Sequence, residues 1–245
     1  MKVKITVPTS LNEITLKQYK HFVKIQKDNT DDKFLQTKMI ETFCDVKFTD
    51  VMKLKFKDSQ EICKILTELF EQKPELVKHF KLDNIEYGFN PSLDDLSLGE
   101  YIDLDTYIGD WDNIEKAMNV LYRPITNKYK HKYSIEDYKV EPNNNLLNMP
   151  MDAGNKFYFF FLSFRDGIVS SYAELFGEQR KGSFDRLSQF SEKWGWYNSI
   201  YGLAKGDITR IEHITKLNIH KCFMMLSFMK DKNELEAKQI KNKIK

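Results

Sequence analysis

Apolar residues recur every three or four positions along most of this chain, and that helical period constrains its fold more than any other feature. Leu16, Tyr19, Phe22 and Val23 follow Thr15, a predicted N-cap. Phe34, Leu35, Met39, Ile40 and Phe43 follow Asp31 or Asp32. Ile62, Ile65, Leu66, Leu69 and Phe70 stand behind Asp58-Ser-Gln-Glu61, which has the form of a capping box. Ser97-Leu-Gly-Glu100 has the same form and opens a stretch with Tyr101, Ile102, Leu104, Tyr107 and Ile108. Trp111, Ile114, Ala117, Met118 and Leu121 predict an amphipathic helix that stops before Pro124. Pro150 suits the first turn of a further helix, with Asp152 near its positive end. Short helices are expected around Phe184–Lys193, Trp196–Ala204 and Ile211–Leu217. Asn218 then caps a last helix with the stripe Ile219, Cys222, Phe223, Leu226 and Met229.

The period falls to two in few places. Val3, Ile5 and Val7 alternate with polar residues until Pro8, which predicts a half-buried strand. Phe80-Lys-Leu82 and Ile85-Glu-Tyr-Gly-Phe89 alternate about Asp83-Asn84, a hairpin closed by Pro91. Pro74 begins a short turn through Leu76, Val77 and Phe80, and Tyr133–Tyr138 adds a small strand or helix. The expected fold class is mainly α (α+β): a multi-helix globular protein with an N-terminal strand and one or two small β-hairpins. Polarity divides it into an α+β region over 1–125, a polar connector over 126–148, a helical region over 149–230 and a charged tail over 231–245, unless the whole is one continuous domain.

Hydrophobic residues at 41% are enough for a real core, and charges at 30% with both signs mixed exclude a disordered chain. The net charge of +2 gives no reason to seek nucleic acid. Arginine, the residue suited to bidentate phosphate or guanine recognition, supplies only Arg123, Arg165, Arg180, Arg186 and Arg210. Three scattered cysteines, Cys44, Cys63 and Cys222, argue for a reducing compartment rather than a disulfide scaffold. The opening residues carry no apolar signal-peptide core. The run Phe157–Leu162 is far below the ~20 residues of a bilayer span and predicts a buried core helix.

Motifs with chemistry are weak. His213, His220 and Cys222 lack the spacing of a zinc helix. Gly177–Ser183 resembles a phosphate loop, but no lysine follows its second glycine and no strand feeds it, so it predicts a polar connector. Asp94, Asp95, Asp103, Asp105 and Asp110 are interleaved with apolar residues and predict a charged helix face. No serine elbow or nucleotide fingerprint occurs. The expectation is a non-enzymatic chain with no catalytic residue, cofactor or metal. The lysine-rich end, 230–245, is expected to be a frayed helix or solvated tail, with a basic nucleic-acid arm as the rival reading. Trp194-Gly-Trp-Tyr197 predicts a tight turn between helices, its rings either core plugs or contacts.

Three stretches carry a resemblance: Val7–Leu11 with Ile14–Tyr19; Phe80–Phe89 running into Leu98–Leu104 and Ala117–Pro124; and Trp194–Ile200 through Leu203–Asp207 to the helix at Ile219. In them the chain is similar to tailed-bacteriophage morphogenesis proteins of the tail-assembly chaperone class. The resemblance implies a binding protein of the host cytoplasm that covers the tape-measure or tail-tube protein during tail morphogenesis. The alternative is a virion component, such as a head–tail connector, neck or internal cargo protein. Candidate protein contacts are Tyr101, Trp111, Tyr122, Arg123, Trp196 and Tyr197, each of which could instead be core.

Overall fold

The computed structural model describes residues 4–72, 76–130, 132–140, 144–176 and 193–244. Among them the chain is mainly helical, with a small antiparallel sheet. Its contacts divide it into two units, each assembled from two separate stretches of chain: 1–91 with 106–160, and 92–105 with 161–245.

The first unit begins with α1 (Leu16–Asp28), α2 (Asp32–Phe43), a short α3 (Phe48–Val51) and α4 (Phe56–Glu71). Thr15 caps α1 in a full capping box. Its hydroxyl accepts from the Gln18 amide at 3.2 Å, and Gln18 Oε1 accepts from the Thr15 amide at 2.9 Å. Asp31 caps α2 by accepting from the Phe34 amide at 2.8 Å. The faces these helices bury meet in an aromatic cluster. Phe43 lies 5.2 Å from Phe22 and 4.9 Å from Phe70, and Tyr19 lies 5.3 Å from Phe70, centroid to centroid.

The predicted hairpin is β1 (His79–Leu82) and β2 (Ile85–Phe89). Its two-residue turn needs positive φ at both positions, and Asp83 and Asn84 supply 50° and 63°. Helix α5 (Leu98–Tyr107) begins in the second unit, and α6 (Ile114–Leu121) runs without a loop into β3 (Tyr122–Tyr129). With β4 (Lys132–Ile135) the sheet order is β1-β2-β3-β4, every pair antiparallel. Phe80 and Tyr87 are cross-strand partners stacked at 5.5 Å, and Tyr122 packs 5.3 Å from Phe80.

In the second unit, α5 is joined by the later part of α7 (Met151–Ser171), α8 (Ala173–Phe176), α9 (Trp196–Leu203), α10 (Ile211–Thr215) and the long α11 (Ile219–Ile244). Ser97 and Glu100 form the predicted capping box, at 3.2 and 2.8 Å. Asn218 caps α11 by accepting from the His220 amide at 3.0 Å. Gly195, between the two tryptophans, takes φ +43° at the start of α9, so the expected tight turn is there.

One device occurs once in each unit. Leu16 and Met151 donate their amides to Met149 and Ile14, at 2.9 and 2.8 Å, so the starts of α1 and α7 are tied together. Leu98 and Ile219 donate to Leu217 and Leu96, at 2.8 and 2.9 Å, and tie the starts of α5 and α11. The residues around the two ties correspond. Ser10-Leu11-Asn-Glu-Ile14-Thr15-Leu16-Lys-Gln18-Tyr19 matches Ser92-Leu93-Asp-Asp-Leu96-Ser97-Leu98-Gly-Glu100-Tyr101, each a 3₁₀ turn followed by a capping box. The chain repeats one helix-start module, a relation that periodicity alone does not reveal.

Several expectations are corrected. Residues 4–8 form no strand; Ile5 and Val7 are half-buried between exposed Lys4 and Thr6, so the alternation marked burial without backbone pairing. Helix α4 starts at Phe56, ahead of Asp58, whose carboxylate sits in the first turn rather than capping it. Of the expected turn, residues 76–78 are irregular backbone and residues 79–80 already belong to β1. The connector 126–148 holds the end of β3 and all of β4, because solvent-facing strands carry no apolar alternation. The contacts do not follow the linear division into regions: residues 149–160 group with the first unit and 92–105 with the second. Of the two readings of the tail, the helical one holds over 231–244, where α11 continues. The expected break at 177–183 and the helix at 184–193, save Lys193 itself, lie outside the described residues, as do Val3, Pro74 and His131. Among the described residues no helix is long and apolar enough to cross a membrane.

Candidate functional site

The six candidate contact residues separate by burial. Tyr101 is 1% exposed and Tyr122 is fully buried, so both are core. The Tyr101 ring meets Phe223 and Trp196 edge to face, at 5.5 and 5.7 Å. The Tyr122 hydroxyl donates to the Val77 carbonyl at 2.8 Å and lies 3.3 Å from the Ala153 carbonyl. Arg123 is buried in β3 opposite Gly88. Burial favours the core alternative for these three; an aromatic beside a turn and one inside a core look alike in sequence. Trp111 is half-buried against Tyr19 at 5.2 Å. Trp196 is half-buried, stacked 6.0 Å from Phe223, and donates its Nε1–H to Asp105 at 3.2 Å. Tyr197 alone of the six is open to solvent.

Three of the acidic residues, Asp94, Asp105 and Asp110, have structural partners. Asp105 accepts from Trp196 through one oxygen and holds the Arg165 guanidinium at 2.9 Å with the other, joining α5, α7 and α9. Asp110 accepts from the Asp112 amide and the Asn113 side chain, which holds its carboxyl below the ordinary range. Within the expected charged face, Asp105 and Asp110 therefore act as clamps. His220 Nδ1 lies 3.0 Å from the Tyr172 hydroxyl and its Nε2 lies 3.5 Å from Asp94, so this imidazole links α11 to α7's end. All three cysteines are free and buried; burial, with Cys63 beside it, pushes the Cys44 thiol up to about 11, away from reactive thiolate. Among the described residues no group of three or more His, Cys, Asp or Glu is placed to hold a metal ion.

No family model, curated protein or solved structure matches this chain. What the geometry offers is apolar surface. On α11, Met224, Phe228 and Leu235 are 67, 58 and 57% exposed and stand at i, i+4 and i+11, one line along the helix. That line lies opposite the face that buries Ile219, Cys222 and Phe223. Met225 adds to its edge, and Tyr197 and Tyr201 are exposed one turn apart on α9. In the first unit, Phe48, Met52 and Phe56 border a groove of about 400 Å³ floored by Ile40 and Val51, with the Lys38 ammonium 5.1 Å from the Phe48 ring. The apolar period of the sequence identifies the inward stripe of α11, but not the outward one, because Met224 and Phe228 stand on the far side of the same helix and Leu235 lies in a charged stretch.

The buried tyrosines set a pH dependence. Burial, with Asp105 nearby, pushes the Tyr101 hydroxyl up from 10.0 to about 12 against the opposing pull of Arg165, and burial raises Tyr122 further still. These hydroxyls are neutral in the fold and ionise sooner in the unfolded chain. Their contribution is therefore complete below pH 10 and is lost as pH rises toward about 12. Urea midpoints are expected to be flat just below pH 10 and to fall above it. A flat profile to pH 12 would contradict the burial of these groups.

Proposed function

We propose that this protein is a non-enzymatic tail-assembly chaperone that holds an apolar helical segment of a phage tape-measure or tail-tube protein until the tail forms. The resemblance over the opening segment, the hairpin with its following helices and the Trp194–Asp207 stretch supports the reading. The observation that carries it is the outward line of Met224, Phe228 and Leu235 on α11. Large apolar side chains aligned on one exposed helix face are the usual mark of a partner-binding surface. Methionine is unbranched and polarisable, so such a face accommodates irregular apolar partners, as a holding protein requires. A soluble cover on the apolar face of a long helical protein suppresses its self-association, and does so without making or breaking a covalent bond.

The test is co-expression with the tape-measure protein of the same genome. The wild-type chain is expected to keep it soluble and to co-purify with it. The double variant Met224→Asp/Phe228→Asp, which alters only exposed side chains, is expected to weaken the complex by roughly a hundredfold while its circular dichroism is unchanged. Full solubilisation by that variant would sink the proposed surface. Mass spectrometry of purified particles is expected to miss the chain; finding it at stoichiometric level would favour the virion-component reading instead.

A further inference from the structure

The inward seam of α11 outlasts its packing. Ile219 and Cys222 are buried and Leu226 and Met229 half-buried, and the same three-and-four spacing continues through Asn233, Ala237 and Ile240. Lys230 still reaches the Glu174 carbonyl, but every residue from Asp231 to Lys243 is exposed, Ile240 at 59%. Where the seam emerges, Asn198 and Gly202 of α9 face Met229 and Ala237 across a groove of about 530 Å³. The seam is therefore shaped to receive a helix along its exposed length.

The charges on this stretch are segregated. Asp231, Glu234 and Glu236 stand against Lys232, a balance of −2 over 231–236; Lys238, Lys241 and Lys243 stand without an acid, +3 over 237–243. A second copy laid parallel would set lysines beside lysines and acids beside acids. Laid antiparallel about the midpoint, each acidic half meets a basic half. Ala237 lies near that midpoint, where a small side chain lets two helices approach, and Ile240 then falls opposite Asn233.

We propose that a second copy of this chain docks on α11, antiparallel across the Met229–Asn233–Ala237–Ile240 seam, to form a homodimer. The overlap of about 15 residues spans ~22 Å, a small interface, so the dimer is concentration-dependent and weakened by salt. This face is opposite to the Met224 line, so the inference stands independently of the chaperone reading.

The test is sedimentation of the full chain, with exposed charges reversed. Wild type is expected to dimerise at tens of micromolar at low salt. Lys238→Glu/Lys241→Glu/Lys243→Glu and Asp231→Lys/Glu234→Lys/Glu236→Lys are each expected to lose at least roughly tenfold in self-affinity, and an equimolar mixture to regain it as a heterodimer. Orientation is read from Asn233→Cys and Ile240→Cys: oxidation is expected to cross-link the mixture and not either variant alone. A monomeric wild type, reversal variants that self-associate like wild type, failure of the mixture to recover, or cross-linking of each cysteine variant with itself would each overturn the proposal. Circular dichroism of the reversal variants separates lost pairing from lost helix.

Discussion

Phe223→Ala is expected to destabilise the protein by about 3–5 kcal/mol, the range for deleting a large buried ring. Phe223 is fully buried on α11 and is the point at which the rings of the second unit converge. Tyr101, Tyr172 and Phe176 present edges to it at 5.5, 5.3 and 5.6 Å, and Trp196 stacks on it at 6.0 Å. Each neighbour is an aromatic ring, and two are held elsewhere by their polar ends: Trp196 by Asp105 and Tyr172 by His220. The surroundings therefore collapse poorly into the vacated space, which places the loss toward the upper part of the range. Phe223→Leu fills part of the volume and is expected to lose less. Urea unfolding followed by tryptophan emission measures both, since Trp196 reports directly on the missing ring. A loss below 1 kcal/mol would show that the cluster is not the packing centre of this unit.

Gly88→Ala is expected to cost about 1–3 kcal/mol, a large effect for one methyl group, because it overpacks a closed contact. Gly88 lies in β2 between His79 and Arg123, and the Tyr133 ring of β4 crosses its face. A Cβ at this position would stand 2.5 Å from Tyr133 Cε2 and 2.9 Å from Ile125 Cγ1. Tyr133 cannot simply swing away, because its hydroxyl donates to the Phe89 carbonyl at 2.7 Å and reaches the Lys78 carbonyl at 3.1 Å. The ring stands where the glycine has no side chain, and its hydroxyl ties β4 to the backbone beside β1. A double-mutant cycle with Tyr133→Ala checks the cause: adding Gly88→Ala to that background is expected to cost much less than in wild type. Equal cost in both backgrounds would put the strain in the backbone rather than against the ring.

The sequence was readable where one physical rule acted alone. Thr15, Asp31, Ser97 and Asn218 cap helices because a short polar side chain before an apolar period has one strong use. Asp83-Asn84 makes its turn because both residues tolerate positive φ. Reading failed where two rules gave the same pattern. Asp58 and Glu61 fit a capping box, but Lys55 and Phe56 start the helix a few residues earlier. Residues 126–129 looked like a linker because that part of β3 is exposed and stabilised by pairing and by Lys128–Glu86 at 2.6 Å, neither of which leaves an apolar alternation. The contact residues failed for a related reason. Local pattern fixes which side chains share a helix face, but only packing decides which face turns inward, and so Tyr101 and Tyr197 could not be told apart. The matching Ser10–Tyr19 and Ser92–Tyr101 segments were available in the sequence, and aligning them is the signal that reveals the repeated helix start.

The backbone ties at Ile14–Met149 and Leu96–Leu217 bear on how the molecule is made. On the ribosome, the first helix emerges long before the strand-like partner that anchors its start, and the Leu96 segment waits in turn for a residue near the far end of the chain. The first half cannot close until the residues around Met149 have emerged, and the second must wait for Leu217, so a nascent chain halted between residues 91 and 149 carries its apolar helix faces uncovered.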